Sequence, residues 1–416
     1  YSTPNRNIRY PEPDLLVDSG ISLISLINSG SGNLSQDIYL TGNPQITFFK
    51  VVYRRHTNFA LESIEQTFNG TVDFGRKVTC TVSRNGDLIH RTYLQVSLPA
   101  LTNTGKTVRW VDRVGEVLID YVNVEIGGQE IDRHYGDWLT IWNELTQTAE
   151  HEDGYSQLIG NTTDLITAAV SIPAATLYVP LQFWFCRNPG LALPLIALQY
   201  HEVKFNVSFR AASECYITSD GNAPSSGVPS LGDTALWIDY IYLDTDERRQ
   251  FAQVQHEYLI EQLQYTGAES YSNTSVKSKL SLNHPCKELV WVLQLDSAAA
   301  ANDHTDYTDG GDHILSSGKL QLNGHDRFDE RDATYFNVVQ PYQHHTRCPA
   351  TGIYVYSFSL NPEQHQPSGS VNMSRIDNAT LLLTLNTNAS LQLRCYATNY
   401  NVLRIMAGMG GLAYSN

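Results

Sequence analysis

Four aspartates at every third position, Asp303, Asp306, Asp309 and Asp312, share the stretch NDHTDYTDGGDH (302–313) with His304 and His313. Closely spaced carboxylates and imidazoles are what a metal ion needs. Calcium loops of the EF-hand kind, however, place ligands at every second position and end on a bidentate glutamate. The spacing does not match, and the stretch reads as a solvated acidic loop on the exterior. HHTRC (344–348) gathers His344, His345 and Cys348, but zinc sites want a paired set and no fourth ligand lies nearby. GMGG (408–411) lacks the strand-to-helix context of a dinucleotide fingerprint. At the end of the final strand, its glycines are expected to permit close backbone approach. No nucleophile elbow, H-E-x-x-H or P-loop occurs, and nothing nominates a catalytic triad. The residues thus predict no cofactor, no metal site and no enzyme.

The other conspicuous chemistry is electrostatic. FFKVVYRRHTNF (48–59) crowds Lys50, Arg54, Arg55 and His56 among Phe48, Phe49, Tyr53 and Phe59, in a chain whose formal net charge is −15. A nucleic-acid groove, a patch facing a membrane and a buried assembly joint would all look like this. The acidic balance argues against nucleic acid as a direct partner, because phosphate binding needs a basic face. Sequons supply a further chemistry: Asn69, Asn161, Asn273 and Asn388 are candidate glycosylation sites, whereas Asn206 and Asn378 lie in or beside predicted strands.

These residues must be positioned by something, and the 416-residue chain is long enough to bury a large core without disulfides or metals. Only 17% of residues are charged, against about 25% in ordinary globular chains. No stretch reaches the roughly 20 apolar residues of a membrane-spanning helix. Few charges and 24 tyrosines fit a surface covered by other protein, since interface cores are poor in charge and rich in aromatics. The six cysteines are scattered and read as reduced thiols in a reducing compartment.

Residues 1–37, rich in Ser, Asn, Gly and Pro, read as an N-terminal arm. Beyond them β signals dominate, punctuated by Asn69-Gly70, Asn85-Gly86 and Gly127-Gly128 turns. Two helices are predicted, at 134–145 and at 245–254 with Thr245 as N-cap. The second falls between two β series that resemble each other in order: 124–138 with 320–336, 178–190 with 354–362, and 201–209 with 378–386. The expected architecture is all-β: a double jelly roll of two tandem eight-stranded antiparallel β-sandwiches, with a few short helices in loops and linker. Its parts are a first jelly roll over 38–244, a linker helix over 245–255 and a second jelly roll over 256–416.

YLTGNPQITFFK (39–50), PGLALPLIALQYHEVK (189–204), HEYLIEQLQ (256–264), SRIDNATL (374–381) and YNVLRIMAGMGGLAY (400–414) resemble the major capsid protein of nucleocytoplasmic large DNA viruses, most strongly the form in viruses of algae. The resemblance covers roughly 36–416. It implies a virion subunit, assembled in the host cytoplasm, whose homotrimers form near-hexagonal capsomers tiling an icosahedral shell. It also implies minor capsid proteins on the inner face and an internal viral membrane nearby. In that setting the favoured reading of 48–59 is a joint at the barrel base, packed by Phe48, Phe49 and Phe59 and including Lys50 and Tyr53. Arg54 and Arg55 would pair with carboxylates of the same or a neighbouring subunit. The rival class is a two-domain β-sandwich that binds or processes carbohydrate, which would need a cleft with convergent carboxylates or an aromatic shelf.

Overall fold

The computed structural model describes residue 40 and residues 42–414. The expected arm over 1–37 therefore lies outside the described residues. Residues 42–58 hold no helix or strand.

The first barrel is built from β1 (Phe59–Gln66), β2 (Lys77–Thr81), β3 (Leu88–Leu98), β4 (Ile119–Ile126), β5 (Gln129–Tyr135), β6 (Ala175–Pro180), β7 (Leu193–Pro194), β8 (Val203–Phe209) and β9 (Thr234–Leu243). They form two antiparallel sheets. One runs β1-β9-β3, with β6 and β7 sharing the far edge of β3; the other runs β2-β8-β4-β5. The second barrel repeats this with β10 (His256–Tyr271), β11 (Ser275–Leu280), β12 (Pro285–Leu295), β13 (Leu315–Leu322), β14 (His325–Asp326), β15 (Ile353–Ser357), β16 (Val371–Asn372), β17 (Ala379–Leu385) and β18 (Leu391–Met406). Its sheets run β10-β18-β12, with β15 and β16 on the far edge of β12, and β11-β17-β13-β14. Each strand of the first barrel thus has its counterpart nine labels later. If each broken edge strand is taken as one, both halves hold eight strand positions in the same order, which is a double jelly roll. The three repeated sequence pairs fall on β4-β5 and β13-β14, on β6 and β15, and on β8 and β17.

The strands differ in how many faces they bury, and the sequence shows it. RTYLQVSL in β3 alternates, with Leu94, Val96 and Leu98 in the core while Tyr93, Gln95 and Ser97 are half-exposed. Alternation is what a sheet with one dry face requires. Its counterpart β12 reads ELVWVLQL and is buried almost throughout, as a strand covered on both faces must be. Leu289, Trp291 and Leu293 point into the second core. Val290 and Val292 point the other way, into a cluster with Trp138, Ile141, Trp142 and Leu145.

Those four residues belong to α1 (Gly136–Thr146), the helix that directly follows β5. It starts two residues later than predicted, because His134 and Tyr135 still pair in β5. Glycine is required at its first position: a Cβ on Gly136 would sit 2.3 Å from the Ile119 carbonyl oxygen and 2.4 Å from that of Glu116. A second helix, α2 (Ala149–Ile159), follows at once. The linker helix α3 (Thr245–Gln253) is capped one residue earlier than predicted: Asp244, not Thr245, accepts the Thr245 backbone N–H at 2.7 Å.

Candidate assembly surfaces and the seam between the barrels

Charged side chains that are remote in sequence converge where the barrels meet. Glu261 on β10 accepts from Arg187 of the first barrel at 3.0 Å and pairs with Lys287 at 2.9 Å. Lys287 is 1% exposed and also donates to the Pro362 carbonyl at 2.6 Å. Arg187 lies 4.2 Å from the centre of the Trp142 ring. Burial alone would raise the Glu261 carboxyl, but the His365 hydrogen bond and the Arg187 and Lys287 charges outweigh it and hold it at about 2. A second node is Asp137 at the start of α1, bridging Arg210 of the first barrel and Arg394 of the second at 2.9 Å each. A third joins Arg347 of the second barrel to Glu152 and Glu144 of the first. Polar backbone contacts complete the seam: Asp132 Oδ1 accepts the Leu263 N–H at 3.0 Å, and the Gln262 amide donates to the Ile131 carbonyl. Charges so placed are costly to desolvate and hold only in one geometry. With the apolar cluster under α1, they lock the two barrels in one relative orientation.

The duplicated fold and its sequence both match known proteins. Family profiles described as "Major capsid protein N-terminus" and "Large eukaryotic DNA virus major capsid protein" match residues 47–244 and 247–411. The major capsid protein of Pyramimonas orientalis virus is 54% identical, over 95% of this chain and 100% of its own length. That of Phaeocystis pouchetii virus is 49% identical, over 92% and 98%. Among solved structures, the quasi-atomic PBCV-1 virus capsid matches with a TM-score of 0.78 at 39% identity, covering 89% of this chain and 100% of that one. The chain belongs to the major capsid protein family of large eukaryotic DNA viruses. It is therefore a structural protein of the virion, not an enzyme, and the sugar-binding alternative falls away.

The residues singled out in the sequence of this capsid protein are not brought together into one site. In the 302–313 stretch Asp309 faces Asp312 across a hairpin and Asp303 lies near Asp306, but among the described residues no group of three or more His, Cys, Asp or Glu could hold a metal ion. The expectation of a solvated exterior loop needs correcting, because half of it is tucked against the first barrel. Asn302 donates to the Ser213 and Tyr216 carbonyls at 2.7 and 3.1 Å, His304 Nε2 lies 2.9 Å from the Glu214 carbonyl, and Tyr307 is buried. Asp309 and Asp312 alone form an exposed hairpin tip. The glycines of 408–411 do permit close approach, since a Cβ on Gly410 would sit 2.6 Å from Leu198. They do not end the final strand, however: Gly408 lies in the turn after β18, and Gly410 and Gly411 lie in β19 (Met409–Leu412), which folds back on β18.

His345 is buried between two carboxylates, Glu288 and Glu363, each at 2.9 Å. Burial would depress the imidazole, but Glu288 and Glu363 outweigh it and raise it to about 9. A folded value above the ordinary 6.5 means this contribution is complete at lower pH and is lost as pH rises through about 9. The melting temperature of the wild type should therefore fall more steeply between pH 6.5 and about 9 than that of His345→Gln. Parallel slopes would refute the assignment.

All six cysteines are free, and burial pushes Cys186, Cys215 and Cys286 up to about 12. Asn69, Asn273 and Asn388 are exposed and Asn161 is half-buried. Phe48, Phe49 and Tyr53 are exposed, as are Lys50, Arg54 and Arg55, and Phe59 opens β1 at 57% exposed. What reasoning from sequence missed is the seam, whose partners are separated by as many as 283 residues.

Proposed function

We propose that three copies of this chain close into a capsomer of near-hexagonal outline, and that such capsomers tile an icosahedral shell over an internal membrane. Minor capsid proteins would line the inner face, and assembly would take place in the host cytoplasm. The division into an arm (1–37), two jelly rolls (38–244 and 256–416) and a linker helix (245–255) belongs to this reading. The observation that carries it is the duplicated strand order held by the inter-barrel seam. Two like barrels in fixed orientation present nearly equivalent flanks, and cyclic closure of three chains then sets six such barrels in a ring. Light scattering tests it: the purified chain should run as a stable species of three chain masses, and a monomer would overturn the reading.

Within this reading the 48–59 segment is the joint at the base. Its support is the run of exposed apolar residues Phe48, Phe49, Val51, Val52 and Tyr53 beside Arg54 and Arg55. A single chain leaves this apolar surface open, which is the mark of a contact made in an assembly. The double substitution Arg54→Glu/Arg55→Glu should abolish capsomer or shell formation while leaving the barrels' melting unchanged. Normal particles from the doubly reversed protein would remove these arginines from the joint.

A further inference from the structure

The internal duplication identifies a docking face and what sits on it. In the second barrel, the outer face of the β10-β18-β12-β15 sheet is covered by α1, the element that follows β5 of the first barrel. The equivalent face of the first barrel, on β1-β9-β3-β6, is left partly open. Tyr93, Tyr178 and Trp237 point outward from it, and Phe59 and Leu61 on edge strand β1 are 57% and 58% exposed. A groove of about 660 Å³ bordered by Tyr93, Pro180 and Leu158 of α2 lies on the same face.

The counterpart of α1 in the second barrel is the element after β14. There a π-helical turn, Tyr335–Val339, runs on into the short helix Gln340–His344. Phe336 is buried in its own barrel, but Val338, Val339 and Tyr342 are exposed, Tyr342 by 80%. One position in the fold therefore carries an apolar helix seated on a sheet within the chain, and its repeat carries an apolar helix with its outer side bare. The matching sheet face is partly open as well.

We infer that the 335–344 turn of one copy docks on the outer β1-β9-β3-β6 face of the next copy's first barrel. The contact between chains then repeats the contact within the chain. Two unlike surfaces meeting head to tail generate a ring if the rotation closes, so six barrels alternate internal and external versions of one joint. The inference rests on the trimer reading and adds the residues that make it.

The test uses the full-length chain with Tyr342→Glu, with Trp237→Glu, and with benzoylphenylalanine at position 342 for photo-crosslinking. Light scattering reports the oligomer and circular dichroism the fold; Tyr342 is exposed enough that its replacement does not touch the core. Each charged variant should associate at least about thirty-fold more weakly, as loss of an interface anchor does. The photo-adduct should map to peptides of β3, β6 or β9 from another chain, a readout that stands even if Trp237→Glu fails to fold. Trimeric Tyr342→Glu protein, or adducts on other surfaces only, would overturn this docking and leave the trimer standing. A monomeric wild type would instead overturn the trimer reading.

Discussion

Glu261→Gln should lower the stability of the folded chain by about 3 kcal/mol, the cost of leaving buried charges without their partner. Glu261 is 7% exposed at the side chain and holds Lys287, 1% exposed, and Arg187 together. A neutral amide keeps the shape and some hydrogen bonding but removes the charge that offsets two desolvated cations. The companion substitution Lys287→Met should recover much of the loss, because a buried pair exchanged for apolar groups of similar volume is often nearly neutral. The pH dependence supplies an independent check. The Glu261 carboxyl is held at about 2 in the fold, below its ordinary 4.5, so its contribution is present above about pH 4.5 and lost as pH falls toward 2. Wild-type stability should decline across that window, and Glu261→Gln should show a shallower slope. Urea unfolding at several pH values measures both. A variant as stable as wild type at pH 7 would show that the seam does not hold the barrels.

The duplicated barrels were legible because jelly-roll strands are short, alternate, and are separated by glycine turns that recur in the same order in both halves. The helix after β5 was legible for the same kind of reason: Trp138, Leu139 and Trp142 mark an apolar side at helical spacing. α2 was not, since only Tyr155 and Ile159 of its eleven residues are buried and its surface is polar. Its punctuation was nonetheless present: Thr148 precedes it, Glu150 and Glu152 stand in its first turn, and Gly160 follows in the left-handed conformation. The aspartate spacing in 302–313 suggested a free loop because spacing reports only local neighbours. What fixes Asn302 and His304 are carbonyls some 90 residues away. The seam was illegible for the same reason at larger scale, since Arg187, Glu261 and Lys287 announce nothing singly. A usable signal did exist in β12. Where β3 alternates, ELVWVLQL does not, and an unbroken apolar strand in a sandwich means that its second face is covered by something.

What covers it is α1, and Trp138→Ala is the substitution that should uncover it. Trp138 is wholly buried, with its ring centre 5.7 Å from that of Trp142 and 5.4 Å from that of Tyr396 across the barrel boundary. Removing a buried tryptophan costs about 3–5 kcal/mol through lost burial and the cavity left behind. Here the loss falls on the joint rather than on either barrel's own core, so each barrel should keep its strands while their mutual orientation loosens. Far-ultraviolet circular dichroism should stay close to wild type, whereas limited proteolysis should cut the 245–255 segment much faster. Oligomer formation should weaken together with protease resistance, because the proposed ring of six barrels closes only if every pair is held at one angle. Trp142→Phe is the conservative control, since it keeps an aromatic ring at the same joint and should lose far less. Wild-type protease resistance and association in Trp138→Ala would mean that orientation is set elsewhere, and the claim that this cluster fixes the tile's geometry would fall.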